Sequence, residues 1–266
     1  MLRGEPRDIE GSAMTVHSID RGDVRVEINE HVVVVTIDRP SKRNALTQAM
    51  YATISDTLLA ANIEKDVGAV VMTGTDTVFT AGNDLVEFSS GSRLDEVQRF
   101  LLTISSVQLP LVAAVNGLAV GVGLTMLLHC DLVFVEPNAK LYVPFVELGL
   151  VPEAASSLLL PKVVGERRAA ELLLSGRRID GIEAAAWGLA NAAVSPAMDN
   201  ALAAAHHLAA QPPNAVKATK ALLRSNETTV SGRIVEEMKA FVKALSGSEF
   251  AEVIAARNER RPPVHR

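Results

Sequence analysis

The chain has almost no cysteine. Cys130 stands alone among 266 residues, so an internal disulfide cannot form and a reducing compartment fits. It has no surplus of positive charge either: 26 Lys and Arg face 31 Asp and Glu, giving a net charge of −5 and a pI near 5.7. That balance argues against a nucleic-acid partner. Metal-ligand spacing is missing as well. His206 and His207 are adjacent on an Ala-rich segment and would point in different directions on a helix, so no metal is expected. The first 13 residues carry Arg3, Glu5, Arg7, Asp8 and Glu10 and no apolar core for a signal peptide. They read as a disordered leader or cloning remnant ahead of Met14, and the chain as cytoplasmic. One stretch, Leu109 to Leu128, has no charge across 20 residues and imitates a membrane span. Pro110 and the Asn116-Gly117 turn signal break it, and no Lys or Arg flanks it closely. A buried strand, a turn and a buried helix give the same string, so no membrane association is expected.

What is present is a core-forming composition, with 48% hydrophobic residues. The run His31–Asp38 is β-branched and reads as a buried strand, preceded by an alternating strand at Val24–Ile28. Thr47 can cap a helix that runs to about Lys65, with Met50, Ile54, Leu58 and Ala61 on one face. Ala69–Met72, Leu111–Val115, Leu132–Val135 and Leu141–Val143 read as strands, with a polar loop following Thr73. Leu94–Val107 and Gly121–His129 read as helices. From about Ser156 the pattern is mostly helical. Strands alternating with helices predict an α/β core covered by helices, followed by a helical C-terminal region.

Three segments could carry chemistry. Phe79-Thr-Ala-Gly-Asn-Asp-Leu85 and Asn116-Gly-Leu-Ala-Val-Gly-Val-Gly123 are glycine-bearing turns. Such turns can aim backbone N–H groups at one oxygen, which makes the N–H groups of Asn83 and Val122 candidates for an oxyanion hole, or they can simply be tight turns. Gly121-Val-Gly123 lacks the third glycine and the downstream acid of a dinucleotide loop. Val151-Pro-Glu-Ala-Ala-Ser-Ser157 supplies a lone carboxylate, Glu153. It can act as an acid–base group or can cap the helix beginning near Ser156.

Taken with Arg39-Pro-Ser-Lys-Arg-Asn-Ala-Leu46, Cys130-Asp131 and Leu148-Gly-Leu-Val-Pro-Glu153, these segments resemble the ordered motif set of the crotonase, or enoyl-CoA hydratase/isomerase, superfamily. The resemblance spans about residues 22 to 262. It implies a crotonase-type superhelix of ββα turns over 14–200 that holds an acyl-CoA site. It implies a C-terminal α-helical trimerisation region over 201–266, giving a homotrimer or a dimer of trimers. The substrate would be an acyl-CoA thioester, with no separate cofactor because coenzyme A is part of the substrate. Lys42, Arg43, Ala45, Ala81, Asp84, Leu85, Gly121 and Phe145 would line that site. Lys42 and Arg43 could meet CoA phosphates or stay solvated, and Asp84 could hold its loop. Val122 stands where the family carries the middle residue of Gly-Gly-Gly, and its N–H survives the change.

The resemblance also separates the possible reactions. Family hydratases use two glutamates around one water, and the matching positions here are Thr125 and Phe145. Losing one such group typically costs about 100-fold or more. Glu147, two residues past Phe145, would point the same way in an extended segment but be displaced by roughly 6–7 Å. Pro152-Glu-Ala-Ala-Ser-Ser157 resembles the Pro-Glu-x-x-Ser-Ser of peroxisomal-type 3-enoyl-CoA isomerases. The expectation is therefore an isomerase that moves a 3-enoyl-CoA double bond to 2-enoyl-CoA through Glu153, with Phe145, Leu148 and Val151 excluding water. Enoyl-CoA hydratase, a specialised acyl-CoA lyase or hydrolase, and a non-catalytic acyl-CoA-binding scaffold are the alternatives.

Overall fold

A computed structural model of the chain describes residues 18–20, 22–75, 77–89, 94–225 and 230–264. The leader expected over 1–13 lies outside these residues. The described residues wind through eleven short strands and eleven α-helices. β1 (Ser18–Asp20), β2 (Val24–Asn29) and β3 (Val32–Ile37) form an antiparallel meander. Next come α1 (Gln48–Ile63), β4 (Ala69–Gly74), β5 (Val78–Thr80), α2 (Leu85–Ser89) and α3 (Asp95–Ser106). β6 (Leu111–Val115), β7 (Leu118–Val120), α4 (Val122–Thr125), β8 (Leu132–Val135) and β9 (Lys140–Tyr142) complete the alternating part.

After the opening meander, the turns from β4 onward each give one strand to each of two sheets. The larger sheet runs β1-β2-β3-β4-β6-β8-β11, where β11 is Ala192–Ala193, and it is parallel from β3 onward. The smaller runs β10-β9-β7-β5, where β10 is Ile179–Asp180. Parallel strands need both faces covered. β3 shows this directly: Val33, Val35 and Ile37 join the main core while Val32 and Val34 join a second cluster on the other face. That face is covered by α8 (Ala197–Ala209), whose Ala201, Ala205 and Ala209 repeat at i, i+4 and let the helix lie close on the strands.

The expected helices α1 and α3 form, and Thr47 caps α1 by accepting from the Met50 N–H at 3.3 Å. Two expectations differ. The polar segment after Thr73 contains β5 and α2 and is not merely a loop. The helix expected over Gly121–His129 is a single α-turn, α4, followed by a 3₁₀ turn over Met126–His129.

The helical third comprises α5 (Ser156–Val164), α6 (Glu166–Ser175), α7 (Gly181–Ala186), α8, α9 (Pro213–Leu223), α10 (Val230–Leu245) and α11 (Ser248–Glu259). α9 is fastened to the core by a buried cation. Lys220 Nζ donates to Asp131 Oδ2 at 2.6 Å and to the Leu109 carbonyl at 2.5 Å, while Arg224 donates to Asp131 Oδ1 at 3.1 Å. Asp131 also accepts from the Leu111 N–H at 2.8 Å, so one carboxylate joins helix, strand and turn. No helix among the described residues is long and apolar enough to cross a membrane.

Candidate active site

The site is built where β5 and β7 end side by side. Thr80 organises the first turn: its Oγ1 donates to the Asn44 carbonyl at 2.6 Å and accepts the Gly82 N–H at 3.0 Å. Gly82 then turns with φ +89°, and a Cβ there would stand 2.8 Å from the Val120 carbonyl oxygen at the end of β7. Leu46 pairs with the turn from the other side: its N–H donates to Gly82 O at 2.8 Å, and the Asp84 N–H returns to Leu46 O at 2.9 Å. The second turn pivots on Gly121 at φ 55°, ψ −117°, and α4 begins at Val122. Gly123 lies against the first turn, where an added Cβ would meet Thr80 Cγ2 at 2.6 Å. Between the turns, neither the Asn83 nor the Val122 N–H donates to a protein acceptor among the described residues.

Glu153 is reached through α4. Thr125, the last residue of that turn, donates its hydroxyl to Glu153 Oε1. Glu153 Oε2 is buried with no hydrogen-bond partner among the described residues. Burial pushes the carboxyl above the usual glutamate range, and the Thr125 hydroxyl opposes that shift in part. The backbone around it is fixed. Ala154 and Ala155 are both left-handed, at φ 53° and 54°. The Glu153 carbonyl accepts from Ser156 N and Oγ at 2.9 and 2.6 Å, and His129 Nε2 donates to the Ala154 carbonyl at 2.9 Å. Two non-glycine residues in this region are uncommon and cluster at functional sites. Capping is not what Glu153 does: α5 has Ala155 at its N-cap and no side-chain cap bond.

Tyr51 reaches the first turn from α1. It is fully buried on α1, and its hydroxyl donates to Asn83 Oδ1 at 2.5 Å. Its pKa is raised well above the usual phenol value, first by burial and then by the Glu153 charge.

A cavity of about 600 Å³ opens against the first turn. Its walls include the expected Lys42, Ala45, Ala81, Asp84 and Leu85, together with Asn83. Arg43 is exposed and outside that lining, and its carbonyl accepts the Ala81 N–H at 3.0 Å. Phe145 is buried in the main core, and Gly121 forms the pivot already described. Leu148 and Val151, expected to screen the acid, are 48% and 79% exposed within the single chain. Glu147 does not follow Phe145 along an extended strand. Val146–Leu148 is a 3₁₀ turn, and the exposed Glu147 carboxylate lies against Gly176.

Sequence reasoning missed Arg39, which holds Asp84 at 2.7 Å while that carboxylate also accepts the Val86 and Glu87 N–H groups at 3.0 and 3.2 Å. Arg39 accordingly holds the Asp84 carboxyl below its usual range. It also missed Tyr51 and the positive part played by Thr125. A tyrosine on the core face of α1 was the available signal, since a buried phenol needs a hydrogen-bond partner. Cys130 is partly buried against the core, its thiol pushed up to about 12 by burial, and His129 is buried with its pKa lowered. No group of three or more metal-binding side chains occurs among the described residues.

This is the crotonase architecture, a spiral of ββα turns followed by a helical C-terminal region. The chain belongs to the enoyl-CoA hydratase/isomerase family, whose model matches residues 27–266. It is 31% identical over 247 residues to a Mycobacterium leprae protein named "Probable enoyl-CoA hydratase echA8", covering 90% of this chain and 96% of that one. It is 36% identical over 217 residues to rat "Enoyl-CoA delta isomerase 2", covering 77% of this chain and 55% of the relative. The crystal structure of an enoyl-CoA hydratase from Polaromonas sp. JS666 superposes with a TM-score of 0.85 at 30% identity, covering 92% of this chain and 100% of that one.

Replacing Thr125 with Val removes the one hydrogen bond to the Glu153 carboxylate while keeping the side-chain shape. The Glu153 titration, followed by carbon NMR of the labelled carboxyl, then moves to still higher pH. A midpoint that stays put or falls would show that Thr125 does not stabilise the ionised form.

Proposed function

We propose that this enzyme shifts the double bond of a 3-enoyl-CoA to the conjugated 2-enoyl position, with Glu153 as its only proton-transfer group. The observation that carries this reading is a single buried carboxylate with one oxygen bound to Thr125 and the other without a partner. Glu153 Oε2 takes a proton from C2, and the electron pair moves toward the thioester oxygen. The N–H groups of Asn83 and Val122 stabilise the resulting dienolate. The same carboxylic acid returns the proton to C4, so the double bond moves and no atom is gained or lost. Donors of this kind are typically worth about 10²–10³ in rate each. α4 is one turn long, so the N–H itself contributes more here than a helix macrodipole would.

The raised Glu153 pKa suits the task, because a base works best with a pKa near the operating pH. The cavity beside the first turn suits the CoA moiety. Among its cations, Arg39 is paired with Asp84 and Asp23, whereas Lys42 has no ion-pair partner among the described residues and is available to a phosphate. Hydration is the competing reading, favoured by the name of the M. leprae relative. Against it, the hydratase glutamate positions hold Thr125, whose hydroxyl is engaged by Glu153, and the apolar Phe145. Self-association accompanies the proposal. α10 leaves Ile234, Val235, Met238, Phe241 and Val242 more than half exposed, and apolar surface on that scale marks a protein interface.

Glu153→Gln abolishes isomerisation of 3-enoyl-CoA and leaves CoA-ester binding in place. The sign of its stability effect follows from the raised pKa. The unfolded chain releases this proton first as pH rises, so the folded state is penalised above about pH 4. The variant therefore melts higher than the parent at neutral pH, and the gap closes in acid. Retention of most isomerase activity would refute the mechanism, and rapid formation of 3-hydroxyacyl-CoA from 2-enoyl-CoA by the parent would favour hydration. Sedimentation equilibrium is expected to give a trimer or a multiple of one; a monomer at micromolar concentration contradicts the interface.

A further inference from the structure

Tyr51 is a buried polar side chain that grips the first turn through Asn83 and lies within the electrostatic reach of Glu153. It comes from α1, and its ring packs on Phe100 of α3 with centroids 5.1 Å apart and planes inclined by 45°. The ring is therefore held by two helices, and its hydroxyl is delivered to Asn83 Oδ1 at 2.5 Å. The backbone on either side of Asn83 is held by Leu46, whose N–H donates to the Gly82 carbonyl at 2.8 Å and whose carbonyl accepts the Asp84 N–H at 2.9 Å. Asn83 follows Gly82 and forms an isolated bridge with Leu46, and its own N–H donates to no protein acceptor among the described residues. Leu46 fixes that peptide at its carbonyl end, and the Tyr51 bond adds a grip on the Asn83 side chain that limits rocking of the plane beside the Gly82 turn.

A second tie from α1 lies close by: the Gln48 N–H donates to Glu87 Oε2 at 2.9 Å. That tie holds the loop after Asn83, and the Arg39–Asp84 pair holds the next residue at 2.7 Å. Neither orients Asn83 itself.

We propose that Tyr51 is a positioning residue: its hydroxyl, fixed by α1 and α3, locks Asn83 so that the Asn83 N–H points at the thioester oxygen. This rests on the isomerase reading above. A buried phenol in this place also stays protonated beside an acid, so it donates throughout the cycle and does not compete with Glu153 for the substrate proton. A tyrosine that served only to fill the core would not need its oxygen.

The test is a double-mutant cycle on purified full-length protein with 3-enoyl-CoA. Tyr51→Phe keeps the ring and removes the hydroxyl; Asn83→Ala keeps the N–H and removes the acceptor. Each is expected to lower kcat about 10-fold, a fraction of the loss of a whole donor, while KM changes less than about twofold. The double variant is expected to match either single one, because both break the same bond. The inference is overturned if Tyr51→Phe keeps kcat within about twofold of the parent, if the two losses multiply, or if KM changes along with kcat. Failure of the isomerase reading shows separately, as full activity in Glu153→Gln. If Tyr51→Phe proves unstable, the Asn83→Ala and Asn83→Asp variants decide alone. Asp retains an acceptor for the phenol, so the inference requires it to keep more activity than Ala, and equal activity overturns it.

Discussion

Two strand ends pressed together through glycine are the constraint on which the site depends. Gly82 comes within a Cβ's reach of the Val120 carbonyl, and Gly123 does the same to Thr80. A methyl group at either place would push the turns apart. Their contact leaves two amides without protein acceptors among the described residues, one of them on Val122, which is 1% exposed. A buried amide lacking a partner typically costs about 1–3 kcal/mol. The surrounding bonds of Thr80, Leu46 and Asp84 hold the arrangement against that cost. A ligand oxygen placed between the amides would relieve it.

The acid obeys the same logic. Glu153 sits where an ionised carboxylate is disfavoured, in a segment with two left-handed alanines, tied by His129 at one carbonyl and by Ser156 at another. Relaxed sequences avoid such conditions, and proteins keep them where chemistry requires a poised group. The hydroxyl of Thr125 tempers the burial and makes the two carboxylate oxygens unequal. One is held, and the other has no hydrogen-bond partner among the described residues. A second glutamate in place of Thr125 would have brought a like charge to the same spot, which is why this arrangement suits one-acid chemistry.

The long elements were legible from the sequence, as were the short β8 and β9, whereas β5, β7 and α2 were not. The β-branched run of β3 declared itself because both faces of a parallel strand are covered. α1 declared itself through Thr47 and a four-turn apolar face. β5 and β7 have three residues each, too few for any periodicity, and are held by their neighbours in the smaller sheet. The 3₁₀ turn at Val146–Leu148 broke the extended geometry assumed for Glu147. Within the site, glycine spacing and the Pro-Glu-x-x-Ser-Ser string pointed to Asn83, Val122 and Glu153. Tyr51, Arg39 and Thr125 act through partners distant in sequence, and spacing alone cannot pair residue 51 with 83 or 125 with 153.

The central claim is that two backbone amides polarise one thioester carbonyl beside a lone acid. Infrared spectroscopy of a saturated acyl-CoA carrying a ¹³C-labelled thioester carbonyl, bound to the unmodified enzyme, tests it directly. The account predicts that the labelled carbonyl stretch falls to lower frequency than in water. A frequency equal to or above that of the free thioester would mean that the amides do not grip the oxygen, and would contradict the account.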